Sequence, residues 1–149
     1  MTITANIEIA CPPEFVRAKF LEFPSIPTYH TTFFTSITPQ GPLESQQKIT
    51  VVFVGMGKMD ATILANEPQL FKWAGSIPLL FGGDHSFHFT PSTTTPGGTT
   101  FTQDESFYGA LGFLMGDGFI ARRMGMGEKT ARNWEGFNKD FKAWCEKSG

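Results

Sequence analysis

The sequence predicts an α+β protein: a curved seven-stranded antiparallel sheet wrapped around a long C-terminal helix, with two short helices between strands one and two. Three observations predict it. The chain opens on strict two-residue alternation, its middle holds strand-length runs separated by turn residues, and from about residue 119 the apolar period lengthens to three or four. A helix from 119 to 146 would run roughly 40 Å at about 1.5 Å per residue, so the sheet has to curl around it. With 149 residues and no internal repeat, the chain reads as one domain over 1–149.

In "TITANIEIA", Ile3, Ala5, Ile7 and Ile9 share one face while Thr2, Thr4, Asn6 and Glu8 share the other, as in a strand covered on one side. Pro12 and Pro13 suit a helix start, and Phe15, Val16, Phe20 and Phe23 follow at helical spacing until Pro24 stops it. "PSIPTYHTTFF" allows one or two further helical turns before a strand near 33–38, which Gly41 and Pro42 end. Strands follow over 48–54, 58–66 and 70–76, the first two joined by "GMG" at 55–57 as a tight hairpin. "DHSFHFTP" and "TTFTQDESF" are two more strands, separated by the polar turn "STTTPGG". In the closing helix Ile120, Met124, Gly127, Ala131, Trp134, Phe137 or Asn138, Phe141 and Trp144 keep the helical period.

Composition excludes several classes. A formal charge of -2 and a pI near 5.9 give no electrostatic footprint for nucleic acid. No stretch approaches the roughly 18 apolar residues of a membrane span, and the amino terminus lacks the basic and apolar run of a leader, so a cytoplasmic protein is expected. Cys11 and Cys145 are too few for a disulfide framework and read as free thiols. Sixteen phenylalanines against two tyrosines serve either a packed core or the walls of an apolar pocket. "GMGEKT" at 125–130 lacks the first glycine and the feeding strand of a phosphate loop, and no dinucleotide fingerprint or serine elbow is present, so no cofactor is expected.

The candidate chemistry lies in "GGDHSFHF" at 82–89, which holds two of the chain's 3 histidines. Alternation puts His85, Phe87 and Phe89 on one face and Asp84, Ser86, His88 and Thr90 on the other. The phenylalanine face has to point inward, so His85 points in and His88 out, and the two cannot share a metal ion; no metal site is expected. The same rule turns Phe101, Gln103, Glu105 and Phe107 inward on the neighbouring strand, placing His85 beside Gln103 or Glu105. A histidine and a carboxylate so placed are expected either to remove and return a proton, as catalytic residues, or to satisfy one another in the core.

"IPTYH" at 26–30, "LFKWAGSIPLLFGGDHSFHF" at 70–89, "TTFTQDESFYG" at 99–109 and "WEGFN" at 134–138 resemble the helix-grip fold of the START and birch-pollen-allergen superfamily, in particular its small polyketide cyclase or dehydratase-like members. The middle stretch carries most of the likeness through Trp73, Gly75, Leu80, Phe81, Gly83, Asp84, His85 and Phe87. The resemblance covers almost the whole chain and implies a deep cavity between sheet and long helix that binds a hydrophobic small molecule. It departs at Gln103, where histidine is common in the family, so a two-histidine mechanism does not carry over.

Beside the catalytic candidates His85 and Glu105, the substrate-binding candidates are Phe53, Trp73, Phe87, Gln103, Phe107 and Met124, with Tyr29 and its neighbour His30 either at the cavity mouth or in a plain surface turn. Trp73 has an indole N–H that either reaches a ligand or stays in the core. "GALGFLMGDG" at 109–118 is either a lid or an ordinary connection, and Arg122 and Arg123 are either a solvated helix face or an anchor for an acidic ligand end. Three functions follow: a cofactor-independent cyclase, dehydratase or isomerase for an apolar polyketide-like metabolite; a carrier of a lipid, sterol or pigment; or an interaction protein with a filled cavity. The first is preferred over the second, with a monomer or homodimer as the expected assembly.

Overall fold

The structure, a computed structural model, describes residues 2–77, 81–108 and 125–149. The expectations for Leu80, for 109–118, for a helix start at 119 and for Arg122, Arg123 and Met124 lie outside those residues.

Among the described residues seven strands form one antiparallel sheet: β1 (Thr2–Ile9), β2 (Phe34–Pro39), β3 (Lys48–Phe53), β4 (Gly57–Glu67), β5 (Leu70–Ile77), β6 (Phe81–Pro91) and β7 (Thr99–Tyr108). Their order is β1-β7-β6-β5-β4-β3-β2, so the first strand lies beside the last. Between β1 and β2 run α1 (Pro13–Leu21), a 3-10 turn (Phe23–Ser25) and α2 (Ile26–Tyr29). The C-terminal helix α3 spans Met126–Ser148, about 35 Å at 1.5 Å per residue. This is the helix-grip arrangement, a curled sheet holding a terminal helix.

Local chemistry accounts for the elements. Pro12 takes an extended conformation before α1 and Pro13 fills its first position, where the missing N–H costs nothing. The β3–β4 hairpin turns on Gly55 and Gly57, both at positive φ. Register shifts between Phe34 and Ser36 and between Ile63 and Ala65 mark irregularities of the kind that bend a sheet. Gly125, left-handed at φ 65, is the N-cap of α3, whose described turns begin at Met126. Beyond it, Trp134, Phe137, Asn138, Phe141 and Cys145 form one buried stripe at spacings of three and four.

The core is a phenylalanine cluster between sheet and helices. Phe20 of α1 is fully buried and its ring meets Phe71, Phe87, Phe89, Phe101, Phe137 and Phe141 at centroid distances of 4.5–6.5 Å. At the same end Cys11 and Cys145 are buried, the Cys11 thiol donating to the Cys145 carbonyl at 3.5 Å. Burial and the neighbouring Cys11 push the Cys145 thiol up to about 12.

Candidate functional site

A cavity of about 280 Å³ opens between the sheet and the first turns of α3. Its cause is legible in the inward positions of β5 and β6. Along β5 these read Phe71, Trp73, Gly75, and along β6 Phe87, His85, Gly83, with Phe71 facing Phe87, Trp73 facing His85 and Gly75 facing Gly83. Where the aromatic rows give way to two paired glycines, β5 and β6 present no side chains of their own to the space beneath α3. A Cβ on Gly75 would lie 2.5 Å from Met59 Cε, and one on Gly83 would lie 2.9 Å from Glu105 Cδ. Each glycine therefore seats a specific neighbour as well as opening the floor.

His85 sits at the border between filled and hollow. It pairs in register with Glu105 of β7, and its ring stacks on Phe87 at 4.3 Å and lies 4.8 Å from Trp134 of α3. His85 Nε2 stands 2.9 Å from Gln103 Oε1, and Gln103 Nε2 donates to Asn138 Oδ1 at 2.8 Å. On the other edge of the ring, Nδ1 is 3.5 Å from Glu105 Oε1, within Coulombic reach and longer than a good hydrogen bond. The Glu105 side chain is 16% exposed against 5% for His85, so the carboxylate is the more open member of the pair.

The structure gathers part of the predicted set. Phe53, Trp73, His85, Glu105 and Phe107 line the cavity, together with Phe33, Met59 and Trp134. Phe87 and Gln103 are not in the lining: Phe87 lies under the imidazole and Gln103 behind it. The indole nitrogens of Trp73 and Trp134 are buried without a hydrogen-bond partner among the described residues, so of the two alternatives for the Trp73 N–H the ligand contact needs that nitrogen uncovered. His88 lies on the outer face, 2.6 Å from Asp104.

Tyr29 and His30 depart from both expectations held for them. Tyr29 stacks on Trp144 at 5.3 Å, toward the far end of α3, and does not line the cavity; burial raises its hydroxyl well above the ordinary value. His30 is 2% exposed. The backbone N–H groups of Phe33 and Phe34 donate to its Nε2 at 3.1 and 3.2 Å, which leaves the proton on Nδ1, donated to Asp140 Oδ2 at 2.8 Å. His30 thereby fixes Phe33, one wall of the cavity.

Residue-by-residue reading passed over Asn138, Gly75 and Gly83 as parts of this site. The signals were present: a polar residue on the apolar stripe of α3, and glycines where inward alternation from Trp73 and His85 calls for large side chains.

Among described residues no group of three or more His, Cys, Asp or Glu side chains is placed to hold a metal ion, and no helix is long and apolar enough to cross a membrane. Comparison with solved structures places the fold. The aromatase/cyclase ZhuI from Streptomyces sp. R1128 superposes with a TM-score of 0.69 at 10% identity over 98% of this chain and 93% of its own. A START superfamily protein from Mycobacterium smegmatis gives 0.68 at 13% over 99% of both chains. The di-domain ARO/CYC StfQ of the steffimycin biosynthetic pathway gives 0.75 at 14% over 99% of this chain and 51% of StfQ. No curated protein matches the sequence. The family profile described as "Polyketide cyclase / dehydrase and lipid transport" matches residues 1–141, and the chain belongs to that family.

Proposed function

We propose that the protein is a cofactor-independent proton-transfer catalyst, a cyclase, dehydratase or isomerase acting on a small apolar, polyketide-like molecule. The observation that carries the reading is the His85–Glu105 pair, 3.5 Å apart and lining a cavity with Phe33, Phe53, Trp73 and Phe107. The family description, which names polyketide cyclases and dehydrases, supports it.

The chemistry is one proton shuttle plus positioning. A carbonyl compound held by the aromatic walls gives up a proton from the carbon beside its carbonyl. That C–H bond breaks, the proton passes to the His85–Glu105 pair, and the electron pair moves onto the carbonyl oxygen as an enolate. Returning the proton to a different carbon isomerises the molecule. Delivering it to a hydroxyl that leaves as water dehydrates it. Attack of the enolate carbon on a second carbonyl closes a ring.

The test uses 1-tetralone, an apolar bicyclic ketone, in deuterated buffer, with exchange at its acidic carbon followed by proton NMR. Exchange above the buffer rate that falls on the order of 100-fold in His85→Gln, at an unchanged melting temperature, supports the proposal. Absence of exchange by the wild-type protein overturns it for this ketone class.

The apolar bulk of the lining, Met56 and Met59 included, favours a second reading as a carrier of a hydrophobic molecule. Native mass spectrometry of the protein from its own source, then extraction of the bound molecule, separates the two. A carrier keeps its cargo unchanged on incubation and binds it equally well as His85→Gln.

A further inference from the structure

Two buried amides stand between His85 and the gripping helix. Gln103 is fully buried on β7 and Asn138 is 1% exposed on α3, and neither lines the cavity. An amide has one accepting end and one donating end, so fixing either end fixes what the other offers. Asn138 presents Oδ1 to Gln103 Nε2 at 2.8 Å, and Gln103 therefore presents its carbonyl oxygen to His85 Nε2 at 2.9 Å. A carbonyl oxygen only accepts, so His85 Nε2 carries the hydrogen. In a neutral imidazole that leaves Nδ1 with the lone pair, on the side of Glu105, which does line the cavity.

We infer that Asn138, acting through Gln103, is a positioning residue that pins the His85 proton on Nε2 and reserves Nδ1 as the nitrogen that exchanges protons with Glu105 and with a bound ligand. The catalytic half of this inference rests on the proton-transfer reading above; the tautomer itself does not. Turning both amides over would set Asn138 Nδ2, which has no partner among the described residues, against Gln103 Oε1. It would also set Gln103 Nε2 against His85 Nε2 and move the histidine proton to Nδ1. The two arrangements give opposite tautomers and are separable by one measurement.

The experiment labels the histidines with ¹⁵N and records long-range ¹H–¹⁵N correlations of the full chain about two units above the ordinary histidine pKa of ~6.5, where a neutral ring shows which nitrogen is protonated. With 3 histidines in the chain the spectrum is assignable by single replacements. His30 is an internal standard of the opposite kind, its Nε2 accepting from two backbone N–H groups and its Nδ1 protonated.

The expected result is Nε2–H at His85 and Nδ1–H at His30. Asn138→Leu, which frees Gln103 to rotate, should give His85 a mixture of tautomers. Adding Gln103→Glu to Asn138→Leu should restore Nε2–H, because a carboxylate also only accepts; a role in packing alone would not be rescued this way. Ketone exchange should track the tautomer, with kcat reduced roughly 10-fold or more in Asn138→Leu at unchanged KM. Nδ1–H at His85 in the wild-type protein overturns the inference, and so does a His85 tautomer indifferent to Asn138→Leu. The wild-type spectrum decides even where that variant fails to fold. Nε2–H without any ketone exchange upholds the relay and overturns the proton-transfer reading instead.

Discussion

The two ends of the sheet's inner face are built from the same strands and do opposite things. At one end Phe71, Phe87, Phe89 and Phe101 face Phe20, Phe137 and Phe141 in continuous ring contact. Two register positions further along β5 and β6, Trp73 and His85 close that block, and two more bring Gly75 and Gly83 to the cavity. The difference teaches that the hollow is specified by missing side chains on the unbroken β5–β6 ladder, while stability is concentrated where the rings meet. Binding and folding are thus assigned to separate lengths of the same strands.

The filled end should break first under truncation. Phe20→Ala removes the ring at the centre of the cluster and is expected to cost about 3–5 kcal/mol in urea unfolding, the range for a buried phenylalanine that leaves a void. An equal loss from Gly83→Ala would contradict the division of labour.

Next in size is His30→Ala, at the junction between the ends. It strands the Phe33 and Phe34 N–H groups in a buried position, and the same unfolding measurement should show a loss of about 2–3 kcal/mol. Ligand affinity should also weaken, because Phe33 is a cavity wall.

Gly83→Ala sharpens the comparison from the hollow side. The added methyl meets the far end of Glu105, which can swing away, so stability should stay within about 1 kcal/mol. The carboxylate leaves His85, and ketone exchange should fall with little change in melting temperature.

The smallest effect is acid sensitivity at the filled end. Hydrogen bonds from Ser92 and then Thr100 hold the Glu8 carboxyl below its ordinary value of 4.5. The Ala10 backbone N–H, followed by Lys142, does the same for Glu146. A carboxyl lowered in the folded state contributes stability that is fully present above 4.5 and disappears as pH falls through the folded value. Urea midpoints should therefore drop on acidification below that point, and Glu8→Gln should flatten the drop.

Much of this was legible in the sequence because it depends on a two-residue period. Alternation in "DHSFHFTP" and "TTFTQDESF" suffices to turn His85 and Glu105 inward on neighbouring strands, and the structure pairs them in register. His30 was not legible in the same way. Its hydrogen-bond partners are Asp140, 110 residues away, and backbone donors at i+3 and i+4, none of which leaves a mark in local spacing. Tyr29 was misdirected for a related reason: a turn between two elements gives no period, and stacking on Trp144 decided which way its ring went. Asn138 occupied a known helical position, yet its partner Gln103 becomes visible only once sheet and helix are docked.

The two cysteines turn the filled end into a clock. Both thiols are buried where β1 gives way to α1 beneath the last turns of α3, and the Cys145 thiol is held near 12. A thiol so protonated and so covered does not react with an alkylating reagent in place. Each labelling event at Cys145 must then wait for the last turns of α3 to open. The labelling rate in native buffer reads how often the grip opens, and a ligand that clamps helix to sheet would slow it without touching either sulfur.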